Sequence, residues 1–328
     1  MRTKFILLIV LLVALFGADV VVGSTGLLWP FGAGRDDVAW RILFDFRLPK
    51  ATAAWLVGSA LAVSGLLMQT VFRNPLAGPY VLGVSSGASL GVALFLLGAP
   101  VLGGLGVARD LGTAVAAWGG AVAVLVVVMA VSARIKDIMA VLILGMMFGS
   151  GAAALVDVLQ YFSSDSALKG FVIWSMGSLG GLSHVQLLIL ALCVGGGMLL
   201  AVLSVKPLNL LLLGDGYARS MGVSIRRVRT VIFLATSLLA GGVTAFCGPI
   251  GFVGIAVPHL ARMCFRRADH RILLPASMLI GADLVLLCDL LSQLPGTDLI
   301  LPINTLTALV GIPVVVAVVV DNKRGRMM

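Results

Sequence analysis

The sequence predicts an all-α membrane protein with about ten transmembrane helices, and three observations carry that prediction. Apolar residues make up 60% of 328 positions, charged residues only 11%, and mean hydropathy is +1.13. A soluble domain holds roughly 45–50% apolar and about 25% charged residues. Apolar runs of membrane-spanning length recur along the chain, and the polar residues are confined to short gaps between them. A soluble core of this composition would lack polar groups to coat its surface, whereas lipid solvates apolar side chains directly. Soluble enzymes and nucleic-acid binders are thereby excluded. The net charge of +9 comes from 23 Lys and Arg against 14 acids, all Asp, scattered through the gaps. That pattern sets topology and is no nucleic-acid footprint.

A helix crossing a hydrocarbon core of about 30 Å needs about 20 apolar residues. Residues 5–23, 51–72, 112–133, 138–160, 187–205, 272–292 and 303–320 meet that need. The first run follows Met1-Arg-Thr-Lys4 and is read as an uncleaved span, because no clear small-residue cleavage pattern follows it. Asn74–Ala108 has no charged residue and room for one helix plus a Gly-rich surface loop. Thr230–Ala261 would be about 48 Å long as one helix. Gly248-Pro249 interrupts it, so a full span followed by a short return helix is expected.

Ten crossings place both termini on one side. With that side cytoplasmic, 17 of the 23 basic residues lie inside, including Arg2, Lys4, Arg73, Arg134, Lys136, Lys206, Arg219, Arg226, Arg227, Arg229, Arg262, Arg266, Arg267, Arg271, Lys323, Arg324 and Arg326. Arg35, Arg41, Arg47, Lys50, Arg109 and Lys169 stay outside, an asymmetry in the expected direction for a cell-membrane protein. Gly83, Gly87 and Gly91 recur every four residues, as do Gly145, Gly149 and Ala153. Such spacing lets helix backbones approach in lipid. For Gly145 and Gly149, both close packing and a place on a conduit are open.

There is no GxxxxGK[ST] loop, GxSxG elbow or HExxH pair, and His184, His259 and His270 form no metal pattern. ATP binding, cofactor chemistry and metal ligation are therefore not expected of this chain. Cys193, Cys247, Cys264 and Cys288 lack the close spacing of a zinc or redox site and are read as packing thiols.

Two blocks carry a resemblance. The first is Arg47-Leu-Pro-Lys50, Gly58, Ser64-Gly65, Gln69, Asn74-Pro-Leu-Ala77, Pro79, Leu82-Gly83 and Gly87-Ala88. The second runs through Leu208-Asn-Leu-Leu-Leu-Leu-Gly214, Ala218, Met221-Gly222, Gly248-Pro-Ile-Gly-Phe-Val-Gly254, Pro258-His259, Arg262, Asp269-His-Arg271, Leu274-Pro275, Asp289, Leu301-Pro302, Thr307 and Gly311-Ile-Pro313. In order and spacing they resemble the FecCD family, the permeases of ABC importers for iron chelates, haem and cobalamin. The resemblance covers nearly the whole chain, 1–328, as a single transmembrane permease domain.

The resemblance implies a ten-span, inverted-repeat fold, a homodimer with a central pathway, two cytosolic ATP-binding cassette subunits, and a periplasmic or lipid-anchored substrate-binding protein. It implies that 209–222 couples to the ATPase through Asn209, Leu213, Gly214, Asp215, Ala218, Arg219 and Gly222. Physically this stretch is amphipathic, with Leu210–Leu213 apolar and Asp215, Tyr217 and Arg219 able to face a partner; an interfacial helix lying on lipid is the alternative. Arg47 and Lys50 take positions where relatives present arginines to the binding protein, and Gln293 lies where some relatives place a further arginine. A lysine keeps the charge without bidentate geometry. Interfacial snorkelling is the alternative reading of both cations. If they dock a partner, reversing both charges should leave the spans intact; if not, docking moves to the loop around Gln293 and Asp298.

Asp157, Asp283 and Asp289 fall inside spans, where an unpaired Asp costs about 2.5–3.5 kcal/mol. Each should find a partner, a cavity or a helix end. Pathway candidates are Gln69, Gly145, Gly149, Asp157 and Asn304; Asn304 stands where many relatives have Gly and suits a helix cap. The function expected is import of an iron chelate, siderophore or haem, with cobalamin as the alternative and a proton-coupled transporter using the three Asp as a remote one.

Overall fold

A computed structural model describes residues 1–23, 37–98, 109–132, 135, 137–293 and 300–325. The placements of Arg35, Arg134, Lys136, Asp298 and Arg326, and of the Gly-rich loop before Arg109, lie outside the described residues, as do the side chains of Arg109, Lys323 and Arg324. Seven described helices are long and apolar enough to cross a membrane, and three shorter apolar helices accompany them. Together they match the ten helical segments expected. Among the described residues the only extended pairing is the isolated Gln293–Ile300 bridge.

The chain folds as two interleaved units. The first comprises Met1–Leu66, Ser178–Leu192 and Ile250–Met328. It holds α1 (Arg2–Val21), α2 (Asp37–Arg41), most of α3 (Leu48–Phe72), the start of α8 (His184–Leu203), α13 (Val253–Phe265), α14 (His270–Ser292) and α15 (Ile303–Gly325). Its centre is set by glycine. A Cβ on Gly58 would strike the Gly281 carbonyl and one on Gly65 the Gly254 carbonyl, so α3 lies backbone to backbone against α14 and α13. The apolar window of α3 is 83% buried and that of α14 78%, whereas α1 is 6% buried. Helix α1 therefore offers its apolar surface outward, where lipid solvates it, and leans on α14.

The second unit comprises Leu67–Gly177 and Cys193–Pro249. It contains α4 (Val84–Leu96), α5 (Arg109–Ser132), α6 (Ile138–Tyr161), α7 (Asp165–Ser175), α9 (Val205–Leu211), α10 (Asp215–Ser220), α11 (Ile225–Thr236) and α12 (Gly242–Cys247). Helix α4 packs between α5 and α6, and here the four-residue glycine rhythm does its packing. Gly87 and Gly91 meet Gly120 and the Ala116 carbonyl of α5, while Gly83 faces Gly145 of α6.

Two points differ from the expectation. The second span does not start at Ala51: helical backbone runs from Asp37 to Phe72 through a wide turn over Ile42–Arg47. That turn closes with the Leu48 N–H on the Leu43 carbonyl immediately before Pro49. Proline has no N–H and crowds the preceding turn, and the widened turn lets the helix continue through it. Arg47 and Lys50 consequently sit within the helix and not ahead of it. Helix α7 was not anticipated. The return-helix expectation holds: α11 and α12 run as one rod to Cys247, Gly248 (φ +74) breaks it, and α13 follows as a 13-residue helix of about 20 Å.

Candidate functional site

The stretch 205–222 folds as two short helices instead of one. Gly214 (φ +107) separates α9 from α10, a backbone angle that a side chain resists. Leu208, Leu211 and Ala218 are buried, while Leu212, Leu213, Tyr217 and Met221 are exposed. The apolar face expected of Leu210–Leu213 is thus divided: Leu211, with Leu208 one turn before it, anchors the segment, and Leu212 and Leu213 join Tyr217 in an outward patch. Asn209 is half-buried and Arg219 exposed. The end of α10 shows why Gly222 is needed. Its N–H donates to the Arg219 carbonyl and the Val223 N–H to the Ala218 carbonyl, 2.9 and 3.0 Å away. This paired closure requires a left-handed residue, and Gly222 has φ +82.

Asp215 does not face outward as the sequence suggested. Its Oδ1 accepts from Arg73, at the end of α3, and its Oδ2 accepts from Arg229 of α11 at 2.8 Å. One carboxylate thus joins the short helix to the end of α3 and to α11, all three residues lying in the second unit.

A second charged cluster lies in the first unit. Lys50 Nζ is 2.9 Å from Asp289 Oδ2, and the Asp289 side chain is 3% exposed. Gln293 Nε2 donates to that same Oδ2 at 3.1 Å and to Asp19 Oδ1 at 3.0 Å. Arg47 is buried and donates through one guanidinium nitrogen to the carbonyls of Val20 and Val21, the last residues of α1. Helix C-terminal carbonyls have no intrahelical donors, and a cation there also suits the helix dipole. Asp19, Lys50, Asp289 and Gln293 are thereby gathered into one polar cluster, with Arg47 on the end of α1 beside it. Arg47, Lys50 and Gln293, expected at a docking surface, have their polar groups engaged within this cluster, as buried charge requires a partner. Asp19 was the acid overlooked: it is the only charged residue in the first apolar run, which was itself the signal.

The pathway candidates do not converge. Gly145 and Gly149 are buried, and a Cβ on Gly145 would lie 2.5 Å from the Val81 carbonyl, so both serve close helix packing. Gln69 is buried and hydrogen-bonded. Asp157 is exposed near the end of α6. Asn304 does not cap its own helix; its Oδ1 accepts from Gly251 N at 2.9 Å, tying the start of α15 to the turn before α13. Asp283 is buried with both carboxylate oxygens unbonded among the described residues. Among those residues no group of His, Cys, Asp or Glu could hold a metal ion.

Comparison with known proteins places this arrangement in a class. The family model of the FecCD transport family matches residues 6–321. The hemin transport system permease protein HmuU of Yersinia pestis is 37% identical over 313 residues, 94% of this chain and 92% of that one. The vitamin B12 import system permease protein BtuC of Klebsiella pneumoniae is 36% identical over 286 residues, 87% and 83% of the two chains. A solved structure, an inward-facing conformation of a metal-chelate type ABC transporter, superposes with a TM-score of 0.84 at 33% identity over 98% of this chain and 100% of that one. The chain belongs to the FecCD transport family of multi-pass membrane permeases.

Proposed function

We propose that the chain is the permease subunit of a prokaryotic ABC importer that carries an iron chelate, siderophore or haem, into the cytoplasm. The observation that carries the reading is the end-to-end family match, which spans both the packing glycines of α3 and the 205–222 segment. Cobalamin is the alternative cargo, favoured by the similarity to a B12 permease. Two copies of the permease form the pathway, with both termini cytoplasmic. ATP is hydrolysed by two cytosolic cassette subunits that receive the patch of Leu212, Leu213, Tyr217 and Met221. A soluble or lipid-anchored protein delivers the cargo from the opposite side. Exposed Phe148 and Leu155, seven residues apart on one face of α6, support a bulky preformed chelate over a bare ion, which would need oxygen or nitrogen ligands. Asp289 is committed to Lys50 and Gln293, which favours an importer over a proton relay.

The cargo is tested on the cognate capture protein. Haemin, a ferric siderophore and cyanocobalamin are titrated against it by calorimetry. Tight binding of haemin or the siderophore supports the reading; tight binding of cobalamin alone transfers it to the alternative.

A further inference from the structure

We infer that Asp215, bridged by Arg73 and Arg229, is a positioning residue that carries movement of the α9–α10 segment into α3 and α11; this rests on the reading of that segment as the ATPase contact. Three observations converge on it. Helix α10 has only six residues, too few to hold its own shape, and it lies between Gly214 and Gly222, whose surroundings are open and whose φ values are +107 and +82. A segment hinged at both ends transmits nothing unless something fastens it. Its fastenings are the buried Ala218 methyl and the Asp215 carboxylate.

The carboxylate is shared with a division of labour. Oδ1 takes Arg73 at the C-terminal end of α3, and Oδ2 takes Arg229 in the second turn of α11. Charge-assisted hydrogen bonds of this kind are short and directional, so one side chain fixes the spacing of three elements. Arg73 is about half exposed, so its ion pair adds little stability and acts chiefly through geometry.

Arg73 supplies the third observation. Its N–H donates to the Thr70 carbonyl and the Asn74 N–H to the Gln69 carbonyl, the same paired closure found at Gly222. That position favours glycine, yet here an arginine holds φ +47. The backbone would be relaxed by glycine, and what glycine cannot supply is the guanidinium on Asp215.

Arg73→Gly separates a strut from a stabiliser. Wild type, Arg73→Gly, Asp215→Asn and the conservative Arg73→Lys are assembled with the cognate ATPase subunits in lipid discs. ATPase-subunit affinity is measured first, then hydrogen–deuterium exchange of residues 225–236 with and without MgATP. We expect Arg73→Gly to melt no lower than wild type and to bind the ATPase subunits unchanged. Its ATP-dependent exchange change in 225–236 should fall about ten-fold, as in Asp215→Asn, with partial recovery in Arg73→Lys. Wild-type exchange in Arg73→Gly and Asp215→Asn overturns the inference. Loss of ATPase affinity in those variants overturns it too, making these residues contacts and not a strut. Failure of wild type itself to bind the ATPase subunits overturns the functional reading, and the strut with it.

Discussion

Lys50, half-buried, and Asp289, buried, form an ion pair, 2.9 Å between Nζ and Oδ2, that joins the start of α3 to the end of α14. Gln293 bonds the same carboxylate oxygen and reaches Asp19 of α1. Three helices of the first unit are thus fastened at one end by a single hydrogen-bonded cluster. Removing one partner leaves an uncompensated charge in the interior, so Lys50→Ala or Asp289→Ala should each destabilise the protein by about 3 kcal/mol. Thermal unfolding in lipid discs measures this. Lys50→Met combined with Asp289→Leu, which removes both charges, should recover most of the loss.

Reversing both cations, Arg47→Glu with Lys50→Glu, is expected to disturb the spans, in contrast to the expectation from the sequence. It sets two new carboxylates beside Asp19 and Asp289 and takes the donor from the Val20 and Val21 carbonyls. Like charges in a buried site repel strongly. The double variant should be recovered at a small fraction of the wild-type yield of monodisperse protein, measured by size-exclusion chromatography.

Gly222 has open space around an added Cβ but a positive φ. Gly222→Arg should therefore cost only about 1 kcal/mol of stability, while distorting the closure of α10. Permease melting should change by a few degrees and ATPase stimulation should fall markedly. Unchanged stimulation would remove this helix end from the coupling path.

Glycines in close contact and glycines in open space should behave oppositely. Gly58→Val drives a side chain into the Gly281 carbonyl and should cost about 3 kcal/mol or more, because backbone cannot step aside cheaply. Gly119 has nothing within 4 Å of a Cβ, and Gly119→Ala should be neutral or stabilising by up to about 1 kcal/mol. Unfolding midpoints of the two variants, compared in the same lipid, decide the point.

The spans were legible because lipid demands long apolar runs, and the break at Gly248-Pro249 was legible because proline and glycine leave a local mark. The start of the second span was not: Arg41, Asp45, Arg47 and Lys50 interrupt the apolar signal, and what keeps the helix going is a widened turn that spacing does not encode. The charged contacts were least legible. Arg73 and Asp215 stand 142 positions apart, and Asn304 and Gly251 are 53 apart. Only the fold brings them together. Lys50 and Gln293 were noticed for their chemistry but assigned to a surface, since nothing in the sequence tells whether a cation faces water or a buried carboxylate. Asp19 could have been found by asking the first apolar run for a partner to its one acid.

The most direct test reconstitutes the permease with its ATPase subunits and capture protein in liposomes and follows entry of labelled iron chelate, with MgATP on the ATPase side and the capture protein opposite. Accumulation that requires hydrolysable ATP, stops with a non-hydrolysable analogue and ignores an imposed proton gradient is the expected result. Accumulation driven by the proton gradient in liposomes holding the permease alone would contradict it.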